Sequence, residues 1–269
     1  MGDVWKHCVL VAVLDRVVAA GGRVGYLETH AGEGQYPLGP TGEWREGIGR
    51  LAAADDRGDD AAARYLRLCR RLAPGGDRAA SYPGSPAFAR AVLGPDAALT
   101  LWERDDGAHG RLVAHTRGDE RVRVRCGDGL AALERDVRAA AARADALVVF
   151  VDPPWTRKVD WIEVPDALVA AVPAAARACF LLWYPVKSLT RPNAMISRLH
   201  AGGVPGTVVE LVTTPLEQRR HRLNGSGVLL VRPPAGALEA IAAAAPTLGA
   251  RCATEDGVWS SRMQAWRAG

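Results

Sequence analysis

The segment Ala146-Leu147-Val148-Val149-Phe150-Val151 constrains the fold more than any other stretch of the chain. It has no polar side chain and is rich in β-branched residues, so neither face of the strand it forms suits contact with water. Such a strand belongs in the middle of a sheet with helices above and below. Residues 23–28, 98–103, 122–126, 179–184, 207–212 and 227–232 read as six further strands, with helical patterns between several of them, as at 129–143 and 164–178. This alternation predicts an α/β, Rossmann-like sheet of seven strands, mostly parallel and covered on both faces.

Composition removes whole classes. With 48% hydrophobic and 24% charged residues, the chain is globular, neither disordered nor collagen-like. No run approaches the ~18 uncharged apolar residues of a membrane helix, and Met1-Gly2-Asp3-Val4-Trp5-Lys6-His7 lacks the features of a signal peptide. A cytoplasmic protein with no membrane partner is expected. The net charge of +4 is too small to identify a nucleic-acid binder. Lysine occurs only at Lys6, Lys158 and Lys187, so most of the positive charge is arginine, which suits phosphate but also follows from a GC-rich coding bias. Five scattered cysteines without ligand spacing predict reduced thiols and no metal site.

One interval is too long. From Glu28 to Glu103 is more than twice the roughly 30 residues of a βαβ unit. The surplus predicts a helical insertion subdomain at 39–95, carrying a helix near 61–72, beside a main domain formed by 1–38 and 96–269. Open α/β sheets bind ligands at the carboxyl ends of their strands, so an insertion there shapes the site.

Those strand ends carry the chemistry. Asp152-Pro153-Pro154-Trp155 follows the most apolar strand, and its prolines fix φ and hold a carboxylate and an aromatic ring at the strand end. A carboxylate and a backbone carbonyl together can accept both hydrogens of an exocyclic amine, while an indole stacks on a base for about 1–3 kcal/mol. The plain alternative is a rigid turn. After the first strand, Glu28-Thr29-His30-Ala31-Gly32-Glu33-Gly34 forms a glycine-bearing turn that lacks the G-x-G-x-x-G dinucleotide spacing, and no phosphate-binding G-x-x-x-x-G-K-[ST] loop exists. Glu103 ends the second strand, where an acid can accept ribose hydroxyls; it could equally be a surface acid. Asp128-Gly129 follows the third strand, beside an adenine or as a helix N-cap. Four successive strand ends carrying glycine-rich turn, acid, acid and Asp-Pro-Pro-aromatic form the order of a class I S-adenosylmethionine-dependent methyltransferase.

Further segments sharpen this. Gly2-Asp3-Val4-Trp5-Lys6-His7, Thr29-His30-Ala31-Gly32, Gly42-Glu43-Trp44-Arg45-Glu46-Gly47-Ile48, Tyr82-Pro83-Gly84-Ser85-Pro86 and Leu182-Trp183-Tyr184-Pro185-Val186 occur in one order along the chain. With the Asp-Pro-Pro-Trp turn and the long insertion, the chain resembles the bacterial 23S ribosomal RNA adenine-N6 methyltransferases of the adenine-2030 type. The resemblance implies S-adenosyl-L-methionine as cofactor and 23S rRNA, free or partly assembled, as partner of a monomer. It places Lys6, His7, Glu28, His30, Gly32, Ser85, Glu103, Asp128, Gly129 and Asp152 around the cofactor. It makes Asp152 the catalytic acid, with Pro153 accepting the second hydrogen and Trp155 stacking on the base. Arg157, Lys158, Tyr184 and Asn224 are expected on the substrate side; the alternatives are an interior aromatic patch for Tyr184 and a solvated hairpin for the basic loop 219–227 that carries Asn224.

Three departures bear on the substrate. Segments of Tyr-Arg-His and His-Ala-Gly-Asn type, which in the family precede the Gly-Asp-Val piece and hold a substrate contact, are not in this sequence. Glu28 stands in place of a more usual Asp, and Trp155 in place of Tyr or Phe. The same chemistry on DNA adenine, another RNA or a small aryl amine is one alternative, and an inactive RNA-binding assembly factor is another.

Overall fold

The computed structural model describes residues 2–51, 54, 56–74, 80–218, 223–255 and 257–267. The chain opens with a long helix, α1 (Gly2–Ala20), and runs directly into β1 (Val24–Glu28). Between β1 and the next strand of the main sheet, β2 (Gln35–Pro37) pairs antiparallel with β3 (Ser81–Pro83) and brackets α2 (Ala61–Leu72). Asp60 caps α2 by accepting the Ala63 N–H at 2.8 Å. Helix α3 (Ser85–Val92), with Pro86 in its first turn, then leads to β4 (Ala98–Glu103).

The remaining chain supplies α4 (Asp106–Thr116), β5 (Val122–Cys126), α5 (Leu133–Ala141), β6 (Ala146–Val151), α6 (Asp160–Ala171), β7 (Ala178–Val186) and α7 (Thr190–Ala201). It closes with β8 (Gly206–Val212), β9 (Gly225–Val231), α8 (Ala237–Cys252) and β10 (Ser260–Trp266). The sheet order is β10-β8-β9-β7-β6-β1-β4-β5, with β7 through β5 parallel and the β7–β9, β9–β8 and β8–β10 pairs antiparallel. The apolar run 146–151 is therefore a central strand, β6, and all seven expected strands are present. The sheet has an eighth strand, β10, beyond the seven expected. Its residues are mostly exposed, so it is joined by backbone pairing to β8 rather than by an apolar alternation.

Strand periodicity sorts the core into two layers. On one face, Tyr26, Val148, Phe150, Leu181 and Leu230 pack with α1, α3 and α8. On the other, Leu27, Val149, Val151, Phe180 and Leu229 pack with α5, α6 and α7. The insertion joins the first layer: Ile48, Leu51, Tyr65, Leu66 and Phe88 share its cluster with α1. Helix α1 is apolar around most of its circumference because the sheet lies on one side and α2, α3 and α8 on others. Trp5 pins it, donating its indole N–H to the Val209 carbonyl at 3.1 Å.

Candidate active site

The turn after β1 is stapled between its neighbouring strands. Thr29 N–H bonds the Phe150 carbonyl at 3.1 Å, and Ala31 N–H bonds the Trp102 carbonyl at 2.8 Å. Gly32 sits at φ 61°, a left-handed conformation that costs glycine nothing, and donates its N–H to Glu103 Oε2 at 2.8 Å. Above this turn lies a cavity of about 460 Å³, lined among others by Lys6, His7, His30, Ser85, Asp152 and Trp183. Tyr36, Leu38, Trp44 and Ile48, all from the insertion side, complete its wall.

Lys6 is the electrostatic centre. Its Nζ lies 2.7 Å from Asp152 Oδ2 and 2.7 Å from Asp3 Oδ1, and 4.9 Å over the Trp183 ring. Burial pushes the Asp152 carboxyl above its usual range while the Lys6 ammonium pulls it back. Lys6 is held cationic: burial opposes the charge, and the two carboxylates prevail. The second oxygen, Asp152 Oδ1, is buried and has no hydrogen-bond partner among the described residues. A buried acceptor of this kind is costly unless a donor arrives, so it marks the place for an N–H.

His7 and His30 are neutral donors or acceptors, not cations. Burial drives His7 down to about 3 and His30 down to about 4. His7 Nδ1 bonds the Tyr82 hydroxyl at 2.7 Å, which in turn meets the Tyr65 hydroxyl at 2.9 Å. His30 Nδ1 bonds Thr29 Oγ1 at 2.8 Å. Beneath the cavity, Glu28 is fully buried; Tyr26 donates to it at 2.9 Å and Ser85 donates through a short bond. Burial pushes Glu28 up to about 8, with the Ser85 and Tyr26 hydroxyls opposing.

The structure thus brings Lys6, His7, His30, Ser85 and Asp152 to one cavity, with Glu28 and Gly32 supporting it. The other expected residues lie elsewhere. Glu103 holds the turn and also accepts the Asp105 N–H at 2.8 Å. Asp128 caps the turn at 130–131, accepting from Leu130 at 2.9 Å and Ala131 at 3.0 Å. Gly129 is a packing contact, since a Cβ there would stand 2.4 Å from the Thr29 carbonyl oxygen. Pro153 is buried and lies outside the cavity lining. Tyr184 faces the opposite layer from Trp183 and donates to Glu210 at 2.7 Å. The Asn224 amide clasps the Pro215 and Gln218 carbonyls at 2.7 and 3.1 Å. Arg157 pairs with Asp160 and Glu163, and Lys158 is exposed. Of the basic loop, residues 219–222 lie outside the described residues.

Trp155 also lies off the cavity. At φ 53° it occupies a left-handed conformation that costs a bulky residue about 1–3 kcal/mol. Its indole packs on Trp161, ring centroids 4.2 Å apart, and donates to the Trp183 carbonyl at 3.0 Å. Sequence reasoning missed Tyr36 as a wall residue and Asp3 as the second partner of Lys6. Asp3 and Lys6 are spaced i,i+3 on one helix face, which was a usable signal.

A model of the RsmJ family, described as ribosomal RNA large subunit methyltransferase D, RlmJ, matches residues 23–267. The chain belongs to this family. It is accordingly an S-adenosylmethionine-dependent methyltransferase with the class I α/β fold. Among its relatives, ribosomal RNA large subunit methyltransferase J of Escherichia coli K12 is 31% identical over 238 residues, covering 86% of this chain and 83% of that protein. The protein of the same name from Haemophilus influenzae is 30% identical over 238 residues, with the same coverage of 86% and 83%. Among solved structures, protein LPL1258 of Legionella pneumophila shares the fold with a TM-score of 0.86 at 24% identity, covering 98% of this chain and 96% of that one.

The cavity suits the family's cofactor. Its Asp152 Oδ1 lacks a donor, and Gly32 keeps the turn free of a side chain at its left-handed position. Lys6, His7, His30 and Ser85 are the residues that would hold it.

Proposed function

We propose that the chain methylates the N6 amine of an adenine in 23S ribosomal RNA, adenine 2030 or its equivalent. Membership of the RsmJ family and the names of both bacterial relatives support ribosomal RNA as the acceptor class. The observation that carries the chemistry is Asp152 Oδ1, a buried acceptor with no partner among the described residues, fixed by the Lys6 ammonium on its twin oxygen.

The N6 lone pair of adenine is delocalised into the ring, so the amine is a weak nucleophile. Asp152 Oδ1 accepts one N–H, and the Pro153 carbonyl is the candidate for the other. Those two bonds orient the nitrogen lone pair toward the reacting methyl, and orientation supplies most of the acceleration. S-adenosylmethionine, when bound, supplies a methyl on a sulfonium, which is electrophilic without further activation. The Lys6 ammonium opposes the upward push of burial on Asp152, and His7 and His30, held neutral by burial, add no positive charge to the cavity. The amine proton leaves easily once nitrogen is alkylated, so Asp152 needs only to receive or relay it. A target adenine must be unstacked to reach this depth, which favours free or partly assembled rRNA over a finished subunit.

The test is transfer of labelled methyl from S-adenosylmethionine to unmodified 23S rRNA, with DNA as a second acceptor and Asp152→Asn as control. Label recovered as N6-methyladenosine from rRNA, reduced about 100-fold in Asp152→Asn, is the expected result. Label in DNA alone, or undiminished transfer by Asp152→Asn, overturns the assignment.

A further inference from the structure

A second, smaller cleft opens on the far side of the Asp152–Trp155 turn. It has a volume of about 140 Å³ and is lined by Trp155, Trp161, Pro185, Lys187, Ser188, Arg191 and Pro192. Drug-sized pockets run about 300–1,000 Å³, so this one takes a single planar ring. We propose that it is a nucleotide subsite, holding the RNA residue next to the methylated adenine with its base against the Trp155–Trp161 pair and its phosphate at Lys187 and Arg191. The proposal rests on the RNA reading above and extends it to a contact that selects the acceptor.

Four observations converge. The two indoles form a tilted pair at 4.2 Å and 37°, an aromatic wall of the kind on which unstacked bases rest. Trp161 Nε1 is buried with no hydrogen-bond partner among the described residues, although an indole N–H can only donate. Ring nitrogens and carbonyls on a base edge are the acceptors it lacks. Lys187 and Arg191 are exposed and carry no ion-pair partner among the described residues, whereas Arg157, just after the turn, is neutralised by Asp160 and Glu163. Two free cations beside an aromatic wall complement a nucleotide monophosphate unit in both charge and shape.

The cleft is also tied to the reacting carboxylate. Trp155 is three residues beyond Asp152, and its indole N–H is fixed to the carbonyl of Trp183, whose own ring lines the cofactor cavity. A base seated on the half-buried Trp161, which packs on the buried Trp155, therefore registers the RNA strand against Asp152. The strained φ of Trp155 fits this role, since the backbone gives up stability to hold the ring in place.

Methyl transfer to a 23S rRNA fragment containing the target, and to fragments abasic at each neighbour of the target, tests the subsite. The proteins are wild type, Lys187→Ala/Arg191→Ala and Trp161→Phe, which keeps a ring and removes the N–H. For wild type, an abasic neighbour on one side raises KM about tenfold. Lys187→Ala/Arg191→Ala raises KM for intact RNA about tenfold and flattens the salt dependence of kcat/KM by about one unit of slope. Its cofactor affinity stays at the wild-type value. Trp161→Phe raises KM several-fold on intact RNA and leaves it unchanged on the abasic fragment, a coupling that a merely structural tryptophan does not show. Wild-type KM and salt slope in the double variant, or equal use of intact and abasic RNA by wild type, overturn the subsite alone. Failure of wild type to label any rRNA fragment overturns the RNA reading, and the subsite with it.

Discussion

Glu28 is an acid that the fold keeps neutral. In an unfolded chain a glutamate titrates near 4.3, whereas burial here pushes it up to about 8. Between those values the folded state holds a proton that the unfolded chain has released. Its contribution to stability is complete below about pH 4 and is lost as pH rises through about 8. Glu28→Gln keeps the neutral form at every pH. Urea midpoints measured at about pH 5.5 and about pH 8.5 should therefore fall more in wild type than in the variant, and equal falls would refute the buried neutral acid. The sequence showed Glu28 as a longer replacement for an aspartate at a strand end, yet nothing in it revealed that Tyr26 and Ser85 enclose the carboxyl. Asp152 was legible because prolines on its C-terminal side announce a fixed turn. Its pairing with Lys6, 146 positions away, was not expected, since the resemblance placed the two residues only around the cofactor.

At the scale of elements, the strands were readable and the first helix was not. Residues 146–151 are apolar without interruption, and a two-sided burial explains them. Helix α1 carries the run Val9-Leu10-Val11-Ala12-Val13-Leu14, all buried, and so shows no helical face in its pattern. Its circumference is read by tertiary neighbours, which a local pattern does not contain. Strand β10 escaped for the opposite reason, being held by backbone bonds with most side chains in water. Because α1 presents Lys6 and His7, its docking sets the site. Trp5→Ala removes a buried indole and should cost about 3–5 kcal/mol in chemical denaturation, and cofactor titration should show weaker binding as Lys6 and His7 lose their seat. Retained affinity at full stability loss would separate docking from binding. Gly129 belongs to the same scale, since it lets the turn after β5 close on Thr29 and Trp102. Gly129→Ala should destabilise by about 1–3 kcal/mol through overpacking; wild-type stability would mean that the β1 and β5 turns are free to separate.

For the whole molecule, one cavity gathers α1, the turn after β1, the insertion and the end of β6. Ligand binding should then stabilise everything together. At 100 times its Kd, S-adenosylmethionine adds about 2.7 kcal/mol, or roughly 5–10 °C in a chain of this size. Scanning calorimetry should show one transition that moves as a unit. Two transitions, of which only one moves, would make the insertion an independent body despite the core it shares with α1.

The closure of α1 also dictates an order of events at birth. Trp5 hangs from the carbonyl of a residue 204 positions later, and the Gly2 carbonyl accepts from the Ser226 hydroxyl. When these first residues leave the ribosome, the strands that receive them have not been made. The Lys6–Asp152 pair therefore assembles only after the strands that carry Val209 and Ser226 have been translated, and a copy that ends before them, even one that already contains Lys6 and Asp152, has no seat for the helix that unites the pair. The helix that carries Lys6 is thus among the first parts made and among the last to be seated.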